Sequence, residues 1–393
     1  MIDLADSYSS IIERCKKAWN CENLMDRSQS PRTSKIPFSS PMMNYATYGG
    51  VPRNAMIEFY GEPSGGKSTT SIDICKSACS IFQKEFDDEV ASLQKFVSAG
   101  NKSAQGELAD LQERGPKKVL YLDLEHSFDS AWAATIGITD SAIDIMQPPD
   151  VVAEDILETL LDIIATGEIG LIVLDSIPSL VPRAVLEKKI GERTVASLAG
   201  LMTVFCTKVI PLLTRYQTTL ILINQIRANM DNPYVPKTPG GEAIKFYSSL
   251  RIYFKIGTPV DFLGNELPMN TEDPAGYIIN AKLTKQKSAP HDRKNATYYL
   301  MTRSGIRPDF DYAKLAVTKY GIIHKAGAWF TISDPYTGEV LEDGGKPVKV
   351  NGMAKVYDFL KMNPEYYQKL KDFIWNDISG TPSSSTDATE GGL

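Results

Sequence analysis

The octapeptide Gly61-Glu62-Pro63-Ser64-Gly65-Gly66-Lys67-Ser68 carries the most explicit chemistry in the chain. It fits the pattern G-x-x-x-x-G-K-[ST] between an apolar run, MIEFY at 56–60, and a helix-forming stretch from about Ser68. Glycines at 61, 65 and 66 let the backbone curl so that successive N–H groups converge, and the following helix adds partial positive charge. That combination cradles phosphate oxygens. Lys67 is placed to reach the β- and γ-phosphates of ATP, and the Ser68 hydroxyl to hold Mg²⁺. Pro63, Ser64 and Thr69 complete the expected nucleotide contacts.

Two further acidic positions suit this chemistry. Asp175 follows LIVL at a strand end, the sheet edge where open α/β folds bind ligands, and is predicted to join the Mg²⁺ shell. The run VLYLDLEH brings Asp123, Glu125 and His126 to another strand end. Glu125 is the expected general base for an attacking water, and His126 is given no catalytic role.

The elements that must position these groups are legible as short, continuous apolar runs at 56–60, 119–124, 171–174 and 219–223, separated by helical stretches. Such runs suit strands buried on both faces, so residues 36–308 read as an α/β core with a largely parallel twisted sheet. A helix and Ser/Pro/Arg-rich linker over 1–35 precede it. A helical hairpin is predicted over about 82–115, from Phe82, Phe86, Val90, Leu93 and Val97, a break at SAGNKSAQG, then Leu108 and Leu111. A smaller α/β module over 309–378 and a disordered tail over 379–393 follow.

Composition narrows the class. The 393 residues carry 42% hydrophobic and 23% charged side chains, values of a folded chain rather than a disordered one. No run approaches the ~18 consecutive apolar residues of a membrane helix, and the first residues lack the pattern of a secretory signal. Five cysteines without a C-x-x-C pair, and three histidines, speak against a zinc site or disulfide framework and suit a reducing cytoplasm. The formal charge of −6 conceals an uneven distribution. Residues 176–256 hold 11 Lys+Arg and 4 Asp+Glu, net +7; residues 277–307 hold 7 and 1, net +6. The remainder therefore carries −19, so a basic stripe runs through an acidic body.

Taken in order, GEPSGGKST, DLEHSFD, LIVLDSIPSL, LINQIR, PGGEAIKFYSSLR, the Lys-Gln-Lys of LTKQKSAP and HKAGAWF resemble the RecA recombinase family over about 300 residues. The resemblance embraces bacterial and phage-encoded members, and a phage-encoded version is expected. It implies a RecA-type P-loop ATPase core and gives matching positions their roles. Glu125 looks like the catalytic glutamate, Asp129 and Trp132 like adenine contacts, and Gln225 like the sensor of the γ-phosphate. Lys285 and Lys287 resemble paired lysines that reach a neighbouring protomer's ATP. Two segments resemble DNA-binding loops: 187–195 with Lys188, Lys189, Arg193 and Val195, and 226–241 with Arg227, Met230, Lys237, Gly240 and Gly241. Lys255 and Lys282 align more weakly with a secondary DNA site.

The function so implied is an ATP-dependent DNA recombinase, a DNA-dependent ATPase that forms helical filaments on single-stranded DNA. It would pair that strand with homologous duplex DNA in recombination and repair. The implied setting is the cytoplasm of a bacterium or phage-infected host, with a single-strand-binding protein or loader as possible partner and no membrane. Two competitors share the core: a hexameric replicative helicase, and an ATP-binding recombination mediator that does not itself recombine. The NQIR-to-KFY segment and AGAW speak against the first, and the intact Lys67, Ser68, Glu125, Asp175 and Gln225 against the second.

Overall fold

The computed structural model describes residues 34–138, 142–150, 152–189, 198–227 and 237–379, together with Ser10, Glu13, Arg14, Lys16 and Lys17. Contacts divide the chain into Met1–Ser34 and Lys35–Leu393. In the first unit Ser10, Glu13, Arg14, Lys16 and Lys17 are helical, with Lys16 paired to Glu13 at 2.9 Å. Most of the N-terminal segment and tail, together with Arg193, Val195 and Met230, lie outside the described residues.

The second unit opens with β1 (Lys35–Ile36), α1 (Pro41–Thr47) and β2 (Val51–Pro52), then β3 (Met56–Gly61) and the long α2 (Lys67–Ser98). α3 (Lys102–Arg114), β4 (Lys118–Asp123), α4 (Ser130–Ile136), β5 (Asp144–Met146), α5 (Ala153–Ala165) and β6 (Ile169–Asp175) follow. Next come the short α6 (Arg183–Leu186), α7 (Leu198–Arg215), β7 (Thr219–Gln225), α8 (Glu242–Tyr247), β8 (Leu250–Val260), β9 (Gly276–Gln286) and β10 (Asn295–Met301). β11 (Gly305–Ile306) and α9 (Pro308–Thr318) lead to a small sheet of β12 (Ile323–Ala326), β13 (Trp329–Ile332) and a third strand at Lys349–Asn351. Two helices, Met353–Met362 and Pro364–Ser379, end the described chain.

Nine strands form the central sheet in the order β11-β10-β9-β8-β3-β7-β6-β4-β5. From β8 to β5 every pairing is parallel, while β9, β10 and β11 extend the sheet antiparallel. The central strands β3, β7, β6 and β4 are covered on both faces, which explains their continuous apolar sequence. Ile57, Phe59, Tyr121, Val173 and Ile221 pack with Ile72, Ile74 and Cys75 of α2. Met56, Leu122, Leu174 and Leu222 pack with Leu157 and Leu160 of α5 and Phe205 and Val209 of α7. α7 is long and apolar enough by composition to cross a membrane, yet Met202, Phe205, Cys206, Val209 and Leu213 bury one stripe of it in this core.

The hairpin departs from its sequence outline. Its first arm is no separate helix: α2 runs unbroken from the phosphate turn at Lys67 to Ser98, and its last buried residue is Phe82. The break is also shorter than the Gly- and Ser-rich sequence suggests. Asn101 caps α3 by accepting from Ser103 N and Ala104 N at 3.0 and 3.3 Å, so Gly106 lies inside a helix.

Candidate nucleotide and nucleic-acid sites

Strand β3 delivers the chain to the phosphate turn at the carboxyl edge of the parallel strands. Gly61 has φ +153°, and a Cβ there would lie 2.0 Å from the Phe254 carbonyl oxygen, so no side chain fits. Gly66 has φ +86° and stands at the N-cap of α2, while Ser64 takes a left-handed φ of 57°. Lys67 folds back over the turn, its Nζ donating to the carbonyls of Gly61 (3.3 Å) and Glu62 (2.6 Å). It is only 7% exposed, and burial lowers its pKa. Such a desolvated ammonium among carbonyls gains most from an anionic partner.

The strand ends of β6, β4 and β7 meet beside it. Ser68 Oγ and the Tyr121 hydroxyl each donate to Asp175 Oδ2 at 2.7 Å. Burial raises the Asp175 pKa, and these two donors oppose the rise. Glu125 Oε1 accepts from Ser176 Oγ and, at 2.9 Å, from Gln225 Nε2. The Asp175–Ser176 peptide is cis. Asp123 is wholly buried and organises the turn, accepting from Glu125 N, Phe128 N and Gln147 Nε2 at 3.1, 2.8 and 2.8 Å. Lys67, Ser68, Glu125, Asp175 and Gln225 are thus brought to one edge. Ser176, Tyr121, Asp123 and Gln147 were not singled out as site residues by sequence reasoning. The run VLYLDLEH had placed Asp123 at a strand end without a role, and the Asp-Ser pair directly after LIVL could have flagged Ser176.

On the other flank Asp129 Oδ1 accepts from Ala131 N and Trp132 N, capping α4. Its sequence-assigned place at adenine is therefore combined with a local structural task. Trp132 Nε1 reaches Thr69 Oγ1 at 3.4 Å, which sets the indole beside the start of α2. Among the described residues no cluster of three or more His, Cys, Asp or Glu side chains forms a metal site. The Ser68 hydroxyl and Asp175 carboxylate are the hard oxygen donors that Mg²⁺ accepts, and the glycine turn leading into the N-terminus of α2 offers phosphate a backbone cradle, so the residues fit both groups.

Lys285 and Lys287 do not join this cluster. Arg251 registers with Glu58 on one side and Lys285 on the other, three residues before Gly61 along β3. At strand rise that is about 10 Å from the phosphate turn. Lys285 Nζ donates to the carbonyls of Lys245 and Phe246, both at 2.6 Å, and Lys287 Nζ to Phe246 at 3.2 Å. Desolvation, then the charges of Lys287 and Arg251, lower the Lys285 pKa to about 8. Phe246, which sequence reading passed over, is 71% exposed beside both ammonium groups.

The two basic loops start from the same sheet edge. Lys188 and Lys189 are exposed after α6. Arg227 and Lys237 pair across the base of the second loop, Arg227 N to Lys237 O at 2.8 Å and the reverse at 3.3 Å, directly after Gln225. Gly240 and Gly241 have φ +86° and +81°, and added Cβ atoms would meet Ile244 at 2.4 Å and Ala199 at 2.7 Å. They form a close turn packed against Ala199 of α7 and Ile244 of α8. Lys255 and Lys282 are exposed on β8 and β9.

Residues 97–307 match the model of the RecA N-terminal domain. "Protein RecA" of Bacteroides thetaiotaomicron is 30% identical over 349 residues, covering 88% of this chain and 88% of that protein. The proteins of the same name from Fusobacterium nucleatum and Thermus aquaticus are 29% and 28% identical, covering 91% and 93% of this chain and 80% and 92% of their own lengths.

Proposed function

The chain belongs to the RecA family, and on that premise we propose that it is an ATP-dependent DNA recombinase, a DNA-dependent ATPase that assembles on single-stranded DNA and pairs it with homologous duplex. The observation that carries the reading is the juxtaposition at one strand end. Gln225 touches Glu125 through its side chain, while its main chain leads within two residues into a basic loop.

The turn at 61–68 binds the triphosphate of ATP, with Lys67 supplying positive charge and Trp132 and Asp129 flanking the base. Ser68 and Asp175 hold Mg²⁺, which neutralises phosphate charge when bound. Ser176 and Gln225 fix the Glu125 carboxylate so that its second oxygen can take a proton from water. Gln225 donates to Glu125 or to a phosphate oxygen, and the choice moves the base of the second loop. Lys285 and Lys287, too far from their own phosphate turn, serve the site of the next protomer, so full activity requires assembly. The exposed Phe246 belongs to that contact. Lys188, Lys189, Arg193, Arg227 and Lys237 meet DNA phosphates, Val195 and Met230 lie beside bases, and homology is read by base pairing. The cytoplasm is the proposed compartment.

The test measures ATP hydrolysis with and without single-stranded DNA while the complex is imaged by electron microscopy. Helical filaments and strong stimulation are expected, and Lys67→Ala abolishes turnover with the fold retained. Closed rings with directional unwinding, or hydrolysis indifferent to DNA, would overturn the reading.

A further inference from the structure

Four polar side chains cross the sheet in a row beside an apolar core. Asn224 on β7, Glu58 on β3, Arg251 on β8 and Lys285 on β9 occupy four adjacent strands. By strand alternation Glu58 and Asn224 share the face of Met56 and Leu222. Glu58 is wholly buried, and its oxygens are divided. Oε1 accepts from Asn224 Nδ2 at 3.0 Å and Oε2 from Arg251 Nε at 2.5 Å.

Each end of the row is tied to a different functional segment. Asn224 Nδ2 also donates to the Pro239 carbonyl at 3.0 Å, and its Oδ1 accepts from the Gln225 N–H at 3.0 Å. At the far end Arg251 stands opposite Lys285, which closes on the last carbonyls of α8. α8 itself begins directly after Gly240-Gly241. Row and helix therefore run side by side from the second loop to the lysine pair.

A buried carboxylate–guanidinium pair is weak evidence for stability, because apolar side chains of similar volume often serve as well or better. What a polar row offers instead is directional linkage between groups that can exchange partners. We propose that Glu58, acting through Asn224 and Arg251, is a positioning residue that couples the base of the second loop, at Arg227 and residues 237–241, to the Lys285–Lys287 pair. This rests on the reading of the loop and the lysines given above. One Asn224 nitrogen serves both Pro239 and Glu58, so a loop that carries Pro239 away pulls on the carboxylate contact. A carboxylate released there is left with Arg251 alone. The charged groups acting on Lys285 are Lys287 on its own segment, Arg251 on β8 and Glu58 on β3; Lys245 of α8 is engaged with Glu242.

The decisive variant is Glu58→Met/Arg251→Met, which replaces the pair with apolar volume and leaves no unpaired buried charge. Its unfolding midpoint and basal ATP hydrolysis should match wild type, while stimulation by single-stranded DNA falls about tenfold, an ordinary size for coupling between sites. Glu58→Gln alone preserves shape and should move the alkaline limb of stimulated hydrolysis to lower pH, since this carboxylate favours the charged lysine. A merely structural role moves neither quantity. Stimulation within about twofold of wild type in the folded double variant overturns the proposal. If the double variant does not fold, unchanged stimulation and an unchanged alkaline limb in Glu58→Gln overturn it. Lys285→Met is measured beside them. Full stimulation in that variant overturns the lysine reading itself, whereas its loss there with retention in the double variant overturns the relay alone.

Discussion

Glu125 is held from two sides, and the two donors do different work. The Ser176 hydroxyl is part of a rigid strand end, whereas the Gln225 amide belongs to the segment that enters the second loop. Ser176→Ala should therefore lower kcat by roughly tenfold to a hundredfold with little change in KM for ATP, since it disturbs only the orientation of the base. The ratio of DNA-stimulated to basal rate should survive. Gln225→Ala should do the reverse, sparing basal hydrolysis far more than stimulation. Steady-state kinetics on both variants, with and without DNA, separates the two, and equal loss of stimulation in each would sink the distinction. Lys285 gives a pH dependence of definite sign. Its pKa of about 8 means that it is charged below that value and neutral above it, so stimulated hydrolysis should decline as pH rises through about 8. Lys285→Arg, which stays charged, should retain its stimulated fraction over the same range. Lys67 and Ser68 were legible because a phosphate turn demands those types at that spacing, and Glu125 because it directly follows an apolar strand run. Ser176 was not, because a serine after a strand-end aspartate reads equally well as a turn residue.

At the scale of elements, the phosphate turn is fixed by a close approach of two strands as well as by its own hydrogen bonds. Gly61→Ala would drive a Cβ into the Phe254 carbonyl at 2.0 Å, so β3 and β8 must part locally. A destabilisation of about 1–3 kcal/mol, the usual cost of enforced backbone strain, is expected in denaturant unfolding, with weaker ATP binding. Wild-type stability in that variant would show that the approach is not tight. The hairpin predicts the opposite. α2 has no buried residue beyond Phe82, so excising 88–107 behind a short Gly-Ser turn should leave the unfolding transition cooperative and hydrolysis within about twofold of wild type. The parallel strands could be read because burial on both faces leaves an unbroken apolar signature. The antiparallel extension could not. Arg251, Lys255, Lys282 and Lys285 interrupt β8 and β9, and their pairing depends on contacts distant in sequence. The hairpin's first arm continues α2, since the amphipathic stripe after Phe82 changes partner without any break in the helix.

The whole molecule is tied together by buried carboxylates and divided by charge. Ser40 Oγ donates to Asp311 Oδ2 at 2.5 Å, linking α1 to α9 across the chain, and Ser39 N donates to Asp73 Oδ2 at 2.8 Å. Burial raises both carboxyl pKa values, Asp311 most strongly. The native state thus holds these protons more tightly than the unfolded chain. Their contribution is fully present below the unfolded carboxyl pKa and is lost as pH rises through the raised native values. Thermal melts of Asp311→Asn should therefore gain on wild type as pH is raised from about 4 toward 7, and a constant difference would refute this linkage. Charge separation makes a further demand on function. If DNA phosphates meet the basic stripe, each contact releases condensed counterions, and log K for single strands falls with log salt at about 0.7 per contact. Screening confines each charge to ~8–10 Å, so the acidic remainder cannot cancel the stripe at physiological ionic strength. Lys237→Ala and Lys188→Ala should each flatten that slope by roughly 0.7, whereas Lys118→Ala, on the opposite sheet edge and paired with Glu168, should leave it unchanged. Fluorescence anisotropy of a labelled oligonucleotide across a salt series reads all three. Equal slopes in wild type and both loop variants would place the phosphate contacts elsewhere, and an effect of Lys118 would mean that binding is a diffuse property of the surface rather than of the loops beside Gln225.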